Sequence, residues 1–289
     1  MKNYTFLLPL YNDWESFSIL LPKINFQMKK LKKKANILII NDCSKNKVVK
    51  YKKLSNINKI QILSLNTNVG SQKAISIGLK YLIKIKKETI ITVMDSDGED
   101  DVNKISYMIR KAEKNKDKVI VSSRTKRHEN LLFKILYLFH KFFTFMFTLS
   151  WISFGSFSSF HSNNLKNILI NKSSWLAFSA CVSKNCKILK LFAERKKRIF
   201  GNSKLSFYGL IKHSLRVNAV FFKRIIFFSF IYALILTNVE FFDNKFNYYL
   251  IAALILYNVI ISLTIILNEP FNFRISNKFI KNVKNLNKL

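Results

Sequence analysis

The sequence predicts an α/β fold with a mostly parallel sheet, and two features of residues 1 to about 124 support this prediction. Short apolar runs alternate with stretches of helical periodicity, which is the pattern of βαβ units. Polar residues also follow each apolar run, and ligands bind to open parallel sheets at the carboxyl ends of the strands. The predicted strands are Tyr4–Leu10, Ala35–Asn41, Lys59–Ser64, Thr89–Met94 and Lys118–Ser122. The predicted helices are Trp14–Met28, Val48–Ser55, Gly70–Ile85 and Val102–Lys114.

Polar clusters follow all of the predicted strands. They comprise residues 11–13, 41–44, 66–68, 95–101 and 122–124. Since parallel strands end at the same edge of a sheet, these clusters are expected to form one binding site. Their convergence is stronger evidence for a site than any single motif.

Asp95 and Asp97 are the most informative residues within these clusters. An uncharged run rich in β-branched residues, Thr89–Met94, ends in two carboxylates separated by one residue. Hard oxygen ligands in this arrangement suit Mg²⁺ or Mn²⁺ bound to a diphosphate. Asp-x-Asp pairs are also common in solvated loops, so the interpretation depends on the surrounding clusters.

The charge balance favours anionic partners. The chain has 49 Lys and Arg against 16 Asp and Glu, a formal net charge of +33. Nucleic acid, anionic lipid and phosphorylated substrates all fit this balance, and so does a biased genome. The 3 cysteines have no zinc or disulfide spacing, which fits a reducing cytosol. The histidines also lack a ligand spacing and are expected at surfaces or interfaces; they are His128, His140, His161 and His213.

Residues 131–160 are crowded with Phe, Leu and Tyr, and two interpretations stay open. The segment 142–160 has no charge and is compatible with a membrane span. Alternatively, residues 131–160 form amphipathic helices in the membrane interface, with their aromatic rings in the lipid. The interfacial interpretation is favoured because serine and threonine side chains reduce the hydrophobicity of the segment.

Two apolar stretches near the C-terminus predict a transmembrane hairpin. Tyr248–Leu267 reaches the length of about 20 residues that a bilayer requires, and Ile225–Val239 reaches it with its flanks, over residues 220–242. Lysine and arginine flank the pair on both outer sides, which places both chain termini in the cytoplasm by the positive-inside rule. The alternative, a soluble helical hairpin, needs a large apolar partner. The N-terminus shows no secretory signal pattern.

Four stretches match motif patterns. Residues 8–13 read L-P-L-Y-N-D, and residues 39–44 read I-I-N-D-C-S. Residues 68–74 read N-V-G-S-Q-K-A, and residues 95–100 read D-S-D-G-E-D. Together these stretches resemble the motifs of family-2 glycosyltransferases with the GT-A fold. The sequence departs from the pattern of that family where Asp13 replaces Glu, Asn41 replaces Asp and Cys43 replaces Gly.

The resemblance implies a nucleotide-sugar site at the sheet edge. In it, Asp95 and Asp97 bind a divalent metal ion, and Asp42 accepts a hydrogen bond from the nucleobase. The implied donor-binding residues are Pro9, Tyr11, Asn12, Asp13, Asp42, Asn68, Gly70, Gln72, Asp95 and Ser96. The implied catalytic residues are Asp97, Asp100 and Arg124. If the acceptor is a sugar hydroxyl, Asp100 or Glu99 must act as the base, and Gly78 is expected to allow close packing of a helix on the sheet.

Three further stretches resemble the membrane-bound polyprenyl-phosphate glycosyltransferases, such as dolichol-phosphate mannosyltransferase and bactoprenol glucosyltransferase. They are residues 123–129, 152–158 and 195–207. The implied ligands of the acceptor or of phosphate are Arg127, Ser156, Arg198 and Lys204. Residues 161–163, which read H-S-N, depart from the basic and proline residues of that subgroup.

The expected function is inverting transfer of a sugar from a nucleoside diphosphate to a polyprenyl phosphate at the cytoplasmic membrane face, with Mg²⁺ or Mn²⁺. One alternative is the same donor chemistry with a saccharide or lipid-linked oligosaccharide acceptor, and another is a non-catalytic basic membrane protein. The expected partners are the nucleotide-sugar donor, the lipid acceptor and the membrane, with homo-oligomerisation left open and nucleic acid excluded. The expected division is a catalytic domain at 1–130, interfacial helices that complete it at 131–219, two transmembrane helices at 220–268 and a basic cytoplasmic tail at 269–289.

Overall fold

The computed structural model describes residues 3–46, 48, 53–84, 88–124, 131–170, 172–201, 207–238 and 244–286. The chain divides into two compact units. Unit 1 comprises Met1–His128, Ser153–Lys204 and Phe271–Leu289, and unit 2 comprises Glu129–Ile152 and Leu205–Pro270. The chain therefore leaves unit 1 twice and returns to it twice.

Unit 1 contains an eight-stranded sheet. Its strands are β1 (Asn3–Leu10), β2 (Ala35–Asn41), β3 (Ile57–Leu65), β4 (Thr89–Val93), β5 (Lys118–Arg124), β6 (Phe154–His161), β7 (Lys187–Ala193) and β8 (Ile280–Asn285). They lie in the order β7-β5-β6-β4-β1-β2-β3-β8. β1 pairs in parallel with β2 and β4, β2 with β3, and β5 with β7, whereas β6 and β8 are antiparallel to their neighbours. The predicted α/β class with a mostly parallel sheet is confirmed.

Helices connect the strands. In the described residues they are α1 (Trp14–Lys30), α2 (Ser71–Leu82), α3 (Ile105–Lys114), α4 (Leu131–Thr148), α5 (Leu165–Leu169), α6 (Phe178–Asn185), α7 (Phe207–Ala219), α8 (Phe222–Asn238) and α9 (Asn244–Asn268). Of these, α2, α3 and α6 contact the sheet. Side chains of β1 alternate between two layers, as the pleat of a strand requires. Phe6 and Leu8 join the core cluster that contains Trp14 of α1, whereas Leu7 faces Gly78 of α2.

The predicted strands of the first 124 residues are confirmed, with ends that differ by up to two residues. Three of the predicted helices are confirmed as α1, α2 and α3. The helix predicted over Val48–Ser55 falls partly outside the described residues, and its described part contains no helix.

β6 corrects the prediction of interfacial helices over residues 131–160. Only Leu131–Thr148 is helical, as α4, and β6 is an inner strand between β4 and β5. Ser158 and Ser159 are buried in it, and Ser159 Oγ shares a hydrogen bond of 2.8 Å with Thr92 Oγ1 of β4. The serine hydroxyls, which would make a membrane segment less hydrophobic, instead form hydrogen bonds inside the sheet. A helical span over 142–160 is incompatible with this strand.

The C-terminal segment, predicted only as a basic tail, contributes the edge strand β8. β8 pairs with β3 in antiparallel register. The segment before it is anchored by Phe273, whose ring lies 6.2 Å from that of Trp175. Lys80 of α2 fastens the same residue, because its Nζ donates to the carbonyl oxygen of Phe273 at 2.7 Å. Residues on both sides of α7–α9 therefore belong to one sheet.

Unit 2 is helical and consists of α4, α7, α8 and α9. α8 contacts α4 and α9, and the rings of Phe143 and Phe147 of α4 pack on Tyr257 of α9. By length and composition, one described helix suffices to cross a membrane, at Lys245–Phe273, which contains α9. α7 and α8 meet the same criterion only as a pair bent by 86°. The second helix of the predicted hairpin is thus long enough to span, and the hairpin as a whole is not confirmed.

Candidate active site

The carboxyl ends of six strands lie along one edge of the sheet. β1 runs parallel to β2 and β4, β2 runs parallel to β3, and two successive antiparallel pairings at β6 give β5 and β7 the same direction. β6 runs in the opposite direction, so its first residues, around Ser156, lie at this edge too. The topology therefore brings the polar clusters of the sequence to one edge, where open α/β sheets bind ligands.

Asp95 is oriented by contacts from β6 and from its own loop. Ser156 Oγ of β6 donates to Asp95 Oδ1 at 2.9 Å. The backbone N–H of Asp95 donates to Asp100 Oδ2 at 2.9 Å, which closes the loop on itself. Ser156 was predicted to contact the acceptor, but in the structure it contacts the predicted metal ligand. Asp100, the predicted base, uses one carboxylate oxygen to shape this loop.

A basic strap, defined as residues 194–201 after β7, lies on the acidic loop, residues 95–101. Arg195 pairs with Glu99 Oε2 through Nε, at 2.8 Å, and through Nη2. Lys196 Nζ lies 2.9 Å from Asp101 Oδ1. A run of cations is thus matched to a run of carboxylates, which compensates charge that would otherwise repel within the loop.

Arg198 of the basic strap bridges two carboxylates from different strand ends. Its Nη1 donates to Asp97 Oδ2 at 3.2 Å, and its Nη2 donates to Asp13 Oδ1. Its Nε donates to the carbonyl oxygen of Phe200 at 2.8 Å. Burial alone would lower the pKa of Arg198, but the bond to Asp13 and the charges of Asp13 and Asp97 raise it overall. Arg198 was predicted to contact phosphate, and it lies at the predicted donor site.

Asp97 is a strongly perturbed carboxylate of the site. Burial, followed by the negative charges of Asp95 and Glu99, raises the pKa of Asp97 to about 7. Arg198 and the backbone N–H of Glu99, which donates to Asp97 Oδ1 at 3.1 Å, act in the opposite direction but are outweighed. Burial and the neighbouring carboxylates together therefore make the charged form of Asp97 unfavourable, and perturbed carboxylates of this kind are typical of functional sites.

Asp42 is buried, and both of its carboxylate oxygens hold the loop before α2. Oδ1 accepts from the N–H of Val69 at 2.7 Å, and Oδ2 accepts from the N–H of Gly70 at 2.8 Å. Burial raises the pKa of Asp42, and these two hydrogen bonds oppose the rise. Gly70 has a φ of 86°, which glycine adopts without strain. A contact between Asp42 and a nucleobase stays a prediction and would use the remaining lone pairs.

Hydrogen bonds join the segments that follow β1 and β2. The N–H of Asn12 donates to Ser44 Oγ at 2.9 Å, and Asn12 Oδ1 accepts from the N–H of Lys45 at 2.8 Å. Cys43, which stands where the family pattern has glycine, has a φ of 60° and so adopts the backbone that glycine favours. Pro9 is buried within β1, and Tyr11 is half-buried at its end.

The other predicted ligands have varied positions. Gln72 Oε1 accepts from the N–H of Phe178 at 2.7 Å, so its amide caps α6, and Asn68 is exposed. Ser96 is buried between Asp95 and Asp97. Arg124 ends β5, and the structure does not describe its side chain. Arg127 and Lys204 lie outside the described residues.

The predicted metal site has two oxygen donors that fit Mg²⁺ or Mn²⁺, from Asp95 and Asp97. Among the described residues, no group of three His, Cys, Asp or Glu could hold a metal ion. Mg²⁺ is usually held by one or two carboxylates, with substrate phosphates and water in the remaining positions. The negative charges of Asp95 and Glu99, which raise the pKa of Asp97 after burial does, are of the sign expected around such a cation site.

Sequence reasoning missed Arg195 and Lys196, although both lie in a motif that it considered. The available signal was the complementarity of two runs, R-K-K-R at 195–198 and D-S-D-G-E-D-D at 95–101. A single lysine or arginine in so basic a chain does not indicate a specific partner. The ion pairs of Arg195 and Lys196 are therefore apparent only in the folded structure. His161, expected at a surface or interface, is buried at the end of β6, where its Nδ1 accepts from the N–H of Asn163 at 3.2 Å.

Comparison with solved structures agrees with this α/β architecture. Mannosyl-3-phosphoglycerate synthase from Rubrobacter xylanophilus superposes with a TM-score of 0.50 at 11% identity, over 78% of this chain and 74% of that chain. TarS 1-349 from S. aureus gives 0.41 at 15% identity, over 96% and 89%. Glucosyl-3-phosphoglycerate synthase from Mycobacterium tuberculosis, solved with Mn²⁺, UDP and its product, gives 0.43 at 11%, over 77% and 79%. At these identities the first similarity supports the fold alone.

The family assignment follows from a family model rather than from individual relatives. None of the curated proteins matches the chain significantly. The model of Glycosyl transferase family 2 matches residues 5–171, which is more than half of the chain and includes the acidic loop and β6. The chain therefore belongs to glycosyl transferase family 2 and is a glycosyltransferase.

Proposed function

We propose that this glycosyltransferase moves a sugar, with inversion, from a nucleoside diphosphate to a polyprenyl phosphate at the cytoplasmic membrane face. The observation that carries the proposal is the pairing of the acidic loop with the basic strap at the carboxyl edge of the sheet. Asp97 accepts there from Arg198, and Asp95 accepts from Ser156, so a cation and two carboxylates that suit a metal ion lie together, as a diphosphate site requires. The acceptor oxygen attacks the anomeric carbon on the face opposite the departing diphosphate.

The residues of the chain hold the donor and stabilise the leaving group. Asp42 keeps the loop before α2 in place, and Arg198 is a forked cation that suits two phosphate oxygens. Asp95 and Asp97 would hold Mg²⁺ or Mn²⁺, which neutralises charge that develops on the departing diphosphate. Ser156 fixes the orientation of Asp95 through its hydrogen bond.

The state of the two candidate bases supports a phosphate acceptor. Asp100 accepts a hydrogen bond from the backbone of Asp95, and Glu99 is paired with Arg195. The carboxylate oxygen of Glu99 that accepts from Arg195 is already engaged and is not placed to take a proton from an acceptor hydroxyl. A lipid phosphate is already largely ionised, with a second pKa of roughly 6, and needs no base. A sugar hydroxyl would need one.

Exposed apolar surface on unit 2 supports a membrane location. Most of the apolar window of α9 is not buried within the protein, unlike the core helix of a soluble domain. Leu256, Leu263 and Leu267 are among its exposed side chains. Contiguous apolar surface of this extent is unfavourable in water and fits lipid.

The return of the chain to its sheet supports the predicted orientation. β7 precedes α7–α9 and β8 follows them, and both are strands of the sheet in unit 1. A chain that leaves and re-enters one domain crosses a membrane an even number of times. If α9 crosses, a second crossing is needed, for which α8 is the candidate, and both flanking segments lie on one side, which the positive-inside rule makes the cytoplasm.

A transfer assay tests the proposal. Membranes that contain the protein are incubated with Mg²⁺ or Mn²⁺, a polyprenyl phosphate and a panel of labelled nucleotide-sugars. We expect label in the lipid fraction, in a product that mild acid hydrolyses because it is a glycosyl phosphate. Label in an acid-stable glycoside would instead identify a saccharide acceptor. No incorporation across the whole panel would refute the proposed activity.

Asp97→Ala is the matched inactive variant. We expect it to reduce transfer by at least about a hundredfold, the magnitude typical of losing a main electrostatic group. Its membrane content should equal that of the wild type, since Asp97 lies in unit 1 and not in a candidate span. The exposed Asp117→Asn variant should keep full activity.

A further inference from the structure

The basic strap is joined to the acidic loop by main-chain bonds as well as by ion pairs. The N–H of Lys196 donates to the carbonyl oxygen of Glu99 at 2.9 Å, and the N–H of Ile199 donates to that of Asp97 at 3.1 Å. A Cβ at Gly98 would overlap the side chain of Ile199, so the strap lies directly on this residue. Two main-chain hydrogen bonds therefore hold the strap against the loop, and they place Arg198 beside Asp97.

Asp97 has both carboxylate oxygens engaged in this arrangement. Oδ1 accepts from the N–H of Glu99, and Oδ2 accepts from Arg198 Nη1. The second Nη of the same guanidinium binds Asp13, so Arg198 lies between carboxylates from the ends of β1 and β4. A cation already occupies the side of Asp97 that points towards Asp13.

We propose that Arg198 is a placeholder cation that keeps a divalent metal from Asp97 until the donor arrives. The inference rests on the proposed function, because it takes Asp95 and Asp97 as metal ligands and a nucleoside diphosphate as donor. When the diphosphate enters, its oxygens replace Asp97 as the partners of the guanidinium, since arginine binds phosphate at least as well as carboxylate. Asp97 Oδ2 is then free to bind the metal.

Ordered binding is the consequence of this exchange. Without the donor, a metal ion at Asp97 Oδ2 must displace Arg198 Nη1, which leaves the guanidinium with Asp13 as its remaining carboxylate partner and is unfavourable. With the donor, the displaced cation gains the diphosphate, so metal and nucleotide each strengthen the binding of the other. The remaining strap pairs, Arg195 with Glu99 and Lys196 with Asp101, need not break, so the exchange requires only the side chain of Arg198 to move.

The test measures Mn²⁺ binding to the full-length protein in detergent, with no nucleotide and then with UDP, from the electron paramagnetic resonance signal of free Mn²⁺. In the absence of UDP we expect Arg198→Gln to bind Mn²⁺ at least about tenfold more tightly than the wild type, as loss of a charge-assisted competitor predicts. UDP should strengthen Mn²⁺ binding to the wild type strongly and to Arg198→Gln only weakly.

Lys197→Gln is the matched control. Lys197 is exposed, lies in the same strap and forms no ion pair with the described residues, and its replacement removes the same charge. It should bind Mn²⁺ as the wild type does. If Arg198→Gln does not fold, Arg198→Lys serves instead, because an ammonium lacks the planar fork whose separate Nη groups reach the two carboxylates, and an intermediate Mn²⁺ affinity is expected.

Equal Mn²⁺ affinities of the wild type and the Arg198 variants without UDP would overturn the placeholder role. An equal effect of Lys197→Gln would do the same, because it would indicate a general charge effect. Neither result depends on sugar transfer, so failure of this inference is distinguishable from failure of the transfer assay. If no variant binds Mn²⁺ with or without UDP, the metal role of Asp95 and Asp97 is refuted along with the inference.

Discussion

Asp42 is a buried carboxylate that holds the loop before α2. Its two oxygens accept from the consecutive N–H groups of Val69 and Gly70, at the entrance to α2. The motif around residues 41–44 indicated that an acid was needed there, but not that it would bind the protein backbone. The reason is that the contact spans 27 residues in sequence, which a local pattern does not encode.

Asp42→Asn is expected to destabilise unit 1 by about 1–3 kcal/mol, because the amide NH₂ would face a buried N–H donor that it cannot satisfy. Thermal unfolding can be followed by tryptophan fluorescence, since Trp14 and Trp175 are buried in unit 1. UDP affinity should fall in parallel. The exposed variant Asp117→Asn should leave the unfolding temperature unchanged, and an unaltered Asp42→Asn protein would contradict this account.

Gly78 is a residue whose role the sequence did predict. A Cβ at this position would lie 2.5 Å from Leu7 Cδ1 and 2.9 Å from Ile40 Cδ1, so α2 approaches the sheet closely. This close approach confirms the prediction that the helix packs tightly on the sheet. The prediction could be made from the sequence because glycine scarcity and helical spacing are both local signals.

Gly78→Ala is therefore expected to destabilise the protein by about 1–3 kcal/mol, despite the higher helix propensity of alanine, because the core cannot accept the methyl group without shifting. Ser71→Ala, on an exposed position of the same helix, is the control. A Gly78→Ala variant as stable as the wild type in thermal unfolding would show that the β1 and β2 side chains can move aside.

β6 and β8 are the elements that sequence patterns did not reveal. β6 has phenylalanine at every third position with serines between, and these serines resemble polar interruptions in an apolar segment until Ser159 is paired with Thr92 across the sheet. β8 is short, basic and at an edge, where solvent-exposed lysines are common and hydrophobic signals are weak. Both strands are defined by long-range pairing, whereas the strands of the first 124 residues have local apolar runs.

Removal of β8 tests its structural contribution. Deletion of residues 280–289 exposes the edge of β3 and removes its hydrogen bonds, so we expect a loss of at least about 2 kcal/mol, or about 4–8 °C in Tm. Deletion of residues 287–289 alone should have no effect, since they lie beyond β8. An equal Tm for both deletions would mean that β8 contributes nothing to unit 1.

The two units of the chain impose a constraint on membrane topology. Cys43 lies in unit 1 before the unit 2 helices, and Lys281 of β8 lies in unit 1 after them. Because both residues belong to one folded domain, the proposed membrane location requires them to lie on the same side of the bilayer.

Labelling with a membrane-impermeant maleimide checks this prediction. Cys43 and an introduced Lys281→Cys should react in inside-out vesicles and stay protected in intact spheroplasts. Lys245→Cys, exposed at the start of α9, should show the opposite pattern if α8 and α9 span the membrane. Reaction of all three from one side would place the helices in the interface instead, and opposite labelling of Cys43 and Lys281→Cys would contradict the fold.

The local sequence was sufficient for the α/β class, for most helices and strands of the first 124 residues and for the candidate acids at strand ends. Alternating apolar runs, helical periodicity and glycine positions are properties of short segments, and they can be recognised in one sequence. The pairing of Arg198 with Asp13 and Asp97, the position of β6 and the return of β8 required the folded chain, because each joins residues far apart in sequence. Such contacts depend on strand order and direction, which the sum of local preferences does not specify.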